Sequence, residues 1–243
     1  MALLRCDFFS DVLGFGTSMT VLLPDAGTDF PTLYLLHGLT DDDTAWTRNT
    51  SVERYAADLG IAVVMPQAHR SFYTDEVWGR PYWTFVSEEL PRTARRLFRL
   101  SDRRADNFVA GLSMGGYGAM KLALRHPERF AAVASLSGAL DLVGRMSDGC
   151  PPGDPRMWER IFGDPAGVAG TGDDLLHLVR TVGDPPAMYV ACGTEDPLYP
   201  GNLAFRDACG APLTTDFGPG AHDWVYWDAR IRDVLAWLPL PSR

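Results

Sequence analysis

The chain has 243 residues, 46% of them hydrophobic and 22% charged, a length and balance that suit one domain with a large buried core and exclude a disordered chain. Its 31 acidic side chains outnumber 22 basic ones for a formal net charge of -9, which repels phosphate backbones and anionic membrane surfaces and argues against a nucleic-acid partner. No run approaches the roughly 18 apolar residues of a spanning helix. The opening MALLRCDFFSDVLGFG meets an arginine and an aspartate too early for a signal peptide, so a cytoplasmic protein without a membrane partner is expected. Cys6, Cys150, Cys192 and Cys209 form no CxxC pair, so reduced thiols are expected, with neither a zinc site nor a disulfide framework.

In chain order, SMTVLLP at 18–24 reads as a strand of an antiparallel region after a glycine turn. TLYLLHG (32–38), IAVVMP (61–66), NFVAG (107–111), AAVASLSG (131–138) and AMYVACG (187–193) are short aliphatic runs ending in Gly or Pro. Such runs suit strands covered on both faces, as in a parallel sheet. Between and after them lie helical patterns at 51–60, 86–100, 117–127, 203–210 and 225–238. In the last, Ile231, Val234, Leu235 and Leu238 share one helical face. The alternation predicts an α/β fold with a mostly parallel central sheet and helices on both sides. Residues 139–186, rich in Gly, Pro and Asp, break the rhythm and predict an irregular, cap-like or lid-like excursion within a single domain spanning 1–243.

In such sheets ligands bind beyond the carboxyl ends of the strands. After NFVA comes Gly111-Leu112-Ser113-Met114-Gly115, a G-x-S-x-G match at a strand-to-helix turn, which would lift the Ser113 hydroxyl above the sheet as a nucleophile. A serine needs a base to take its proton and an acid to orient that base. TEDPLY places Asp196 after a strand end, and FGPGAHDWVYW places His222 before the last helix. The order Ser113, Asp196, His222 is the nucleophile, acid, base order of α/β-hydrolases. His69 as the base and Asp141 as the acid are the competing assignments. Glu195 is expected to point away, Asp223 to fix a loop and His37 to shape the loop that follows it. Two backbone N–H groups are needed for the oxyanion, and Met114 and Leu39 are placed to supply them. Trp46, Phe72, Tyr73, Trp158 and Trp224 are candidates to wall an acyl pocket, or alternatively core packing.

Across FFSDVLGFGTSMTVLLP, LYLLHGLTDDDTAW, RSFYTD with YWTFVSEELP, AGLSMGGYGAMKLAL, CGTEDPLY and GAHDWVYW, the chain resembles the esterase D / S-formylglutathione hydrolase-like branch of α/β-hydrolases, and within it the small tributyrin or acetyl esterases. The resemblance implies Ser113, Asp196 and His222 as the triad, with Leu39 and Met114 as oxyanion donors. It implies hydrolysis of small short-chain carboxylic esters through an acyl-enzyme, with no metal or organic cofactor. Thioester hydrolysis, as in S-formylglutathione hydrolases, and acyl transfer are the alternatives that the same triad allows. Only EVWGRP separates RSFYTD from YWTFVSEELP, shorter than the insertion expected of formylglutathione hydrolases. Family members often form dimers or tetramers, so the resemblance also allows a homo-oligomer.

Overall fold

A computed structural model of the protein describes residues 1–25, 27–151 and 153–240. Eight strands form one sheet: β1 (Ala2–Ser10), β2 (Phe15–Leu23), β3 (Thr32–Leu36), β4 (Ala62–Pro66), β5 (Asn107–Leu112), β6 (Ala132–Leu136), β7 (Ala187–Gly193) and β8 (Leu213–Gly218). Their spatial order is β1-β2-β4-β3-β5-β6-β7-β8. β2 pairs antiparallel with β1 and with β4, and every other pairing is parallel, so β2 alone runs against the rest.

The middle strands explain the continuous apolar runs. Tyr34 and Leu36 of β3 face one hydrophobic cluster while Leu33 and Leu35 face the other. Val64 and Val63 of β4, and Val109 and Phe108 of β5, divide the same way. Alternate side chains point to opposite faces, and helices cover both.

The helices are α1 (Ala45–Asn49), α2 (Val52–Ala57), α3 (Tyr82–Thr84), α4 (Leu90–Phe98), α5 (Met114–Arg125), α6 (Leu142–Ser147), α7 (Met157–Phe162), α8 (Leu175–Thr181), α9 (Tyr199–Ala208) and α10 (Trp224–Trp237). Trp46 of α1, Val52 of α2 and Ile231, Val234 and Leu235 of α10 pack on one face. α4, α5, α7 and α8 pack on the other.

Several boundaries differ from the sequence expectations. A π-helical turn at Phe85–Glu89 joins α3 to α4, so the helix predicted at 86–100 begins earlier, at Tyr82, and stops where Arg99 turns left-handed at φ 51°. The excursion at 139–186 is more ordered than its composition suggested. It holds α6, α7, a 3-10 turn at Pro165–Val168 and α8, and buries Trp158, Ile161, Leu175 and Val179 in the core. Tyr117 and Lys121 of α5 anchor its far end, through a hydrogen bond from the Tyr117 hydroxyl to the Asp173 carbonyl at 2.9 Å and an ion pair of Lys121 with the Asp173 carboxylate at 2.5 Å.

Candidate active site

The turn from β5 into α5 requires two backbones to touch. A Cβ on Gly111 would lie 2.3 Å from the Gly115 carbonyl oxygen, and one on Gly115 would lie 2.3 Å from that of Leu36. Only glycine at both positions lets α5 start directly over the sheet. Ser113, between them, has φ 53° and ψ -117°, a region that L-residues occupy at a cost of roughly 1–3 kcal/mol. Three backbone hydrogen bonds hold it there. Its N–H donates to Leu136 O at 2.9 Å, while its carbonyl accepts from Tyr117 N and Ala139 N, each at 3.1 Å.

The strand end at β7 and the loop before α10 bring two more groups to this serine. His222 Nε2 lies 3.1 Å from Ser113 Oγ, and His222 Nδ1 lies 2.8 Å from Asp196 Oδ2. Asp196 is 3% exposed, and its other oxygen accepts from Leu198 N at 2.8 Å. Burial alone would raise this carboxyl, but the His222 and Leu198 hydrogen bonds and the nearby imidazole outweigh it and hold the group below the usual carboxylate range. The Asp196 carboxyl is therefore ionised at neutral pH. Trp227 stands edge-on to the His222 ring at 4.9 Å and restricts its swing.

Neither competing assignment reaches this cluster. The Asp141 carboxylate caps α6 by accepting from Gly144 N at 2.9 Å, and His69 packs against Tyr82. Glu195 turns outward and accepts from Gly220 N, tying the His222 loop to the end of β7. Asp223 caps α10 by accepting from Tyr226 N at 2.9 Å.

The loop after β3 is fixed peptide by peptide. His37 is 1% exposed, and burial lowers its pKa against the opposing pull of the Gly38 carbonyl and nearby carboxylates. Ala68 N–H donates to its Nε2 at 3.0 Å, so Nδ1 carries the proton and donates to Gly38 O at 2.7 Å. The carbonyl and N–H of a trans peptide point in opposite directions. Holding Gly38 O against the ring thus turns Leu39 N–H away from it. Asp41 N also donates to Gly38 O, at 3.3 Å. The preceding peptide is pinned by Gly38 N to Asp41 Oδ2 at 3.2 Å and by the Tyr73 hydroxyl to His37 O at 3.0 Å. Met114 N–H opens α5, whose positive end lies at Ser113.

These segments enclose a cleft of about 500 Å³ at Ser113 and His222, with Leu39, Phe72, Trp158 and Trp224 in its wall. Of the five aromatic candidates, Trp46 and Tyr73 are fully buried. Trp46 donates from Nε1 to Leu36 O at 3.1 Å, so both pack behind the site rather than line it. Sequence reading missed Trp227 and Arg145, which also line the cleft. Trp227 was visible in GAHDWVYW, whereas nothing in sequence marks Arg145, which arrives on α6 of the excursion. Among the described residues, no group of three or more His, Cys, Asp or Glu is arranged to hold a metal, and no helix is long and apolar enough to cross a membrane.

The sequence profile of the Esterase family matches residues 10–238. The acetyl esterase of Caldicellulosiruptor saccharolyticus is 29% identical over 98% of each chain. The substrate-bound structure of FphF, a fluorophosphonate-binding serine hydrolase of Staphylococcus aureus, superposes with a TM-score of 0.91 at 34% identity over 98% of both chains. The S-formylglutathione hydrolase FrmB of the same organism gives 0.89 at 33% identity, again over 98% of both chains. The sheet and its flanking helices are those of an α/β-hydrolase.

Proposed function

Because the chain belongs to the Esterase family and is a serine hydrolase by its relatives, we propose that it is a carboxylesterase acting on short-chain acyl esters. Ser113 is the nucleophile, His222 the base and Asp196 the acid that orients it. The observation that carries the reading is the unbroken relay from Asp196 through His222 to Ser113, at 2.8 Å and 3.1 Å. Ser113 Oγ attacks the ester carbonyl as His222 Nε2 takes its proton. The N–H groups of Leu39 and Met114 receive the oxyanion, each such donor contributing about 2.7 to 4 kcal/mol. His222 returns the proton to the departing alcohol, and water then releases the acid by the same path. A cleft of this size walled by Phe72, Trp158 and Trp224 favours short acyl groups. A cytoplasmic setting is part of the proposal, supported by four unpaired cysteines.

Replacement of Ser113 by alanine tests it: hydrolysis of p-nitrophenyl butyrate should vanish while circular dichroism stays unchanged. Substantial residual turnover in the folded variant would refute the assignment. A second reading, thioester hydrolysis, is favoured by the likeness to FrmB. An acyl-chain series that includes S-formylglutathione separates the two, since a preference for the thioester by orders of magnitude would select it.

A further inference from the structure

Away from Ser113, a second cavity of about 380 Å³ lies between β3, the helical run from Val86 to Arg95, Leu122 of α5 and the turn before β6. It shares no lining residue with the catalytic cleft. Leu36, Val86, Leu90, Leu122 and Phe130 give it apolar walls. Two polar groups in its lining are unusual. The Tyr34 hydroxyl is buried without a hydrogen-bond partner, as is Nε of Arg95. Tyr34 is 4% exposed, and its ring is held edge-on against Phe130 at 6.4 Å.

Buried donors left unpaired are rare, because each has given up its water without compensation. Burial pushes the Tyr34 phenol up to about 12, against the pull of the adjacent Arg95 charge, so the phenol keeps its proton and can donate. Arg95 can only donate. Both groups therefore lack an acceptor, and one of them is a cation. Arg92 and Asp102 complete the charged lining; Arg129 is already engaged by Glu88 and Glu128, and the buried Nε of Arg95 is left to meet an acceptor brought by a ligand.

We propose that this cavity is a second small-molecule site, selective for a monocarboxylate carried on a compact apolar body such as one aromatic ring. One carboxylate oxygen accepts from the Tyr34 hydroxyl and the other from the Arg95 guanidinium, while the apolar body packs between Leu90 and Phe130. The site goes beyond the ester chemistry proposed for Ser113 and does not depend on it. A neutral amide of the same shape would leave the Arg95 charge unmatched, and a bare inorganic anion would leave the apolar walls unfilled.

Calorimetric titration with benzoate tests this, with benzamide and chloride as controls. Benzoate should bind wild-type protein with Kd below about 1 mM. Tyr34→Phe and Arg95→Met should each weaken binding at least about tenfold, as expected for loss of a hydrogen bond to a charged group. Both variants should retain ester hydrolysis, which reports that they are folded, and Tyr34→Phe removes only the unpaired oxygen. Failure of benzoate to bind, equal binding of benzamide, or displacement by chloride at matching concentration would each overturn the proposal. So would unchanged affinity in both variants, which would place benzoate at Ser113 instead.

Discussion

Replacing Asp196 by asparagine would test how the proposed triad sets the tautomer of His222. In the wild type, one carboxylate oxygen faces His222 Nδ1 and the other accepts from Leu198 N–H. An asparagine keeps the shape but has one acceptor for these two positions. If its oxygen faced His222, its amide would confront the Leu198 N–H, donor against donor in a buried place. The satisfied arrangement gives the oxygen to Leu198 and the NH2 to His222 Nδ1. The ring proton then moves to Nε2, which points at Ser113 Oγ from 3.1 Å and can no longer accept the serine proton. In triad enzymes this exchange lowers kcat by about 10^4, or about 5 kcal/mol of transition-state stabilisation. Steady-state hydrolysis of p-nitrophenyl acetate should show that fall in kcat with KM little changed. A variant that keeps more than about a tenth of wild-type kcat would refute the tautomer reasoning. Stability gives an independent check. A carboxylate held low in the folded state adds stability that is fully present above its unfolded pKa and is lost as pH falls through the folded one. The difference in melting temperature between wild type and Asp196→Asn should therefore narrow on acidification below about pH 4.

Two further predictions concern α5, the helix that follows Ser113. Gly115→Ala would drive a Cβ to 2.3 Å from Leu36 O and 2.7 Å from His37 O, forcing α5 away from the loop that follows β3. Chemical denaturation should show a loss of about 1–3 kcal/mol and ester assays a large loss of kcat, and near-normal activity would count against the close-packed turn. Lys121, fully buried beside Tyr73 O, Thr74 and Asp173, has its pKa lowered by burial to about 8. Between that value and the unfolded value of about 10.4 the unfolded chain binds more protons, so this group's contribution to stability rises with pH. Urea unfolding at pH 7.5 and 9.5 should show wild type gaining on Lys121→Met at the higher pH, and a pH-independent difference would contradict it.

The parts of the fold legible in sequence were those where local pattern and tertiary role coincide. β3, β4, β5, β6 and β7 are buried on both faces and so read as apolar runs. β8, Leu213–Gly218, carries Thr214, Thr215 and Asp216 and lies at the sheet edge, so its strand character comes from pairing with β7 and leaves no apolar signal. β1 was overlooked although Leu4, Cys6 and Phe8 alternate with the more exposed Leu3, Arg5, Asp7 and Phe9, a period of two that a half-covered strand produces. Ser113, Asp196 and His222 could be read together because strand ends and chain order constrain them, and the fold brings them within hydrogen-bond distance. Trp46 and Tyr73 were ambiguous because an aromatic beside a motif can face the cleft or support it from behind, and only the packing distinguishes these.

The elbow and the excursion share their supports, and this separates chemistry from specificity. Ser113 is held by Leu136 O and Ala139 N, the residues from which the excursion departs. Near its return, Asp173 is tied to Tyr117 and Lys121 on the helix that Ser113 begins. Between these anchors, α6 and α7 bring Arg145 and Trp158 to the cleft. Changes at Arg145 or Trp158 can therefore alter which acyl or alcohol group fits while leaving the Ser113 turn intact. Loss of the Asp173 carboxylate acts instead on the helix behind the turn, through Lys121. Substitution of Arg145, which lines the cleft, should thus appear mainly as a shift in substrate preference, whereas loss of the Asp173 carboxylate should lower turnover for every ester alike.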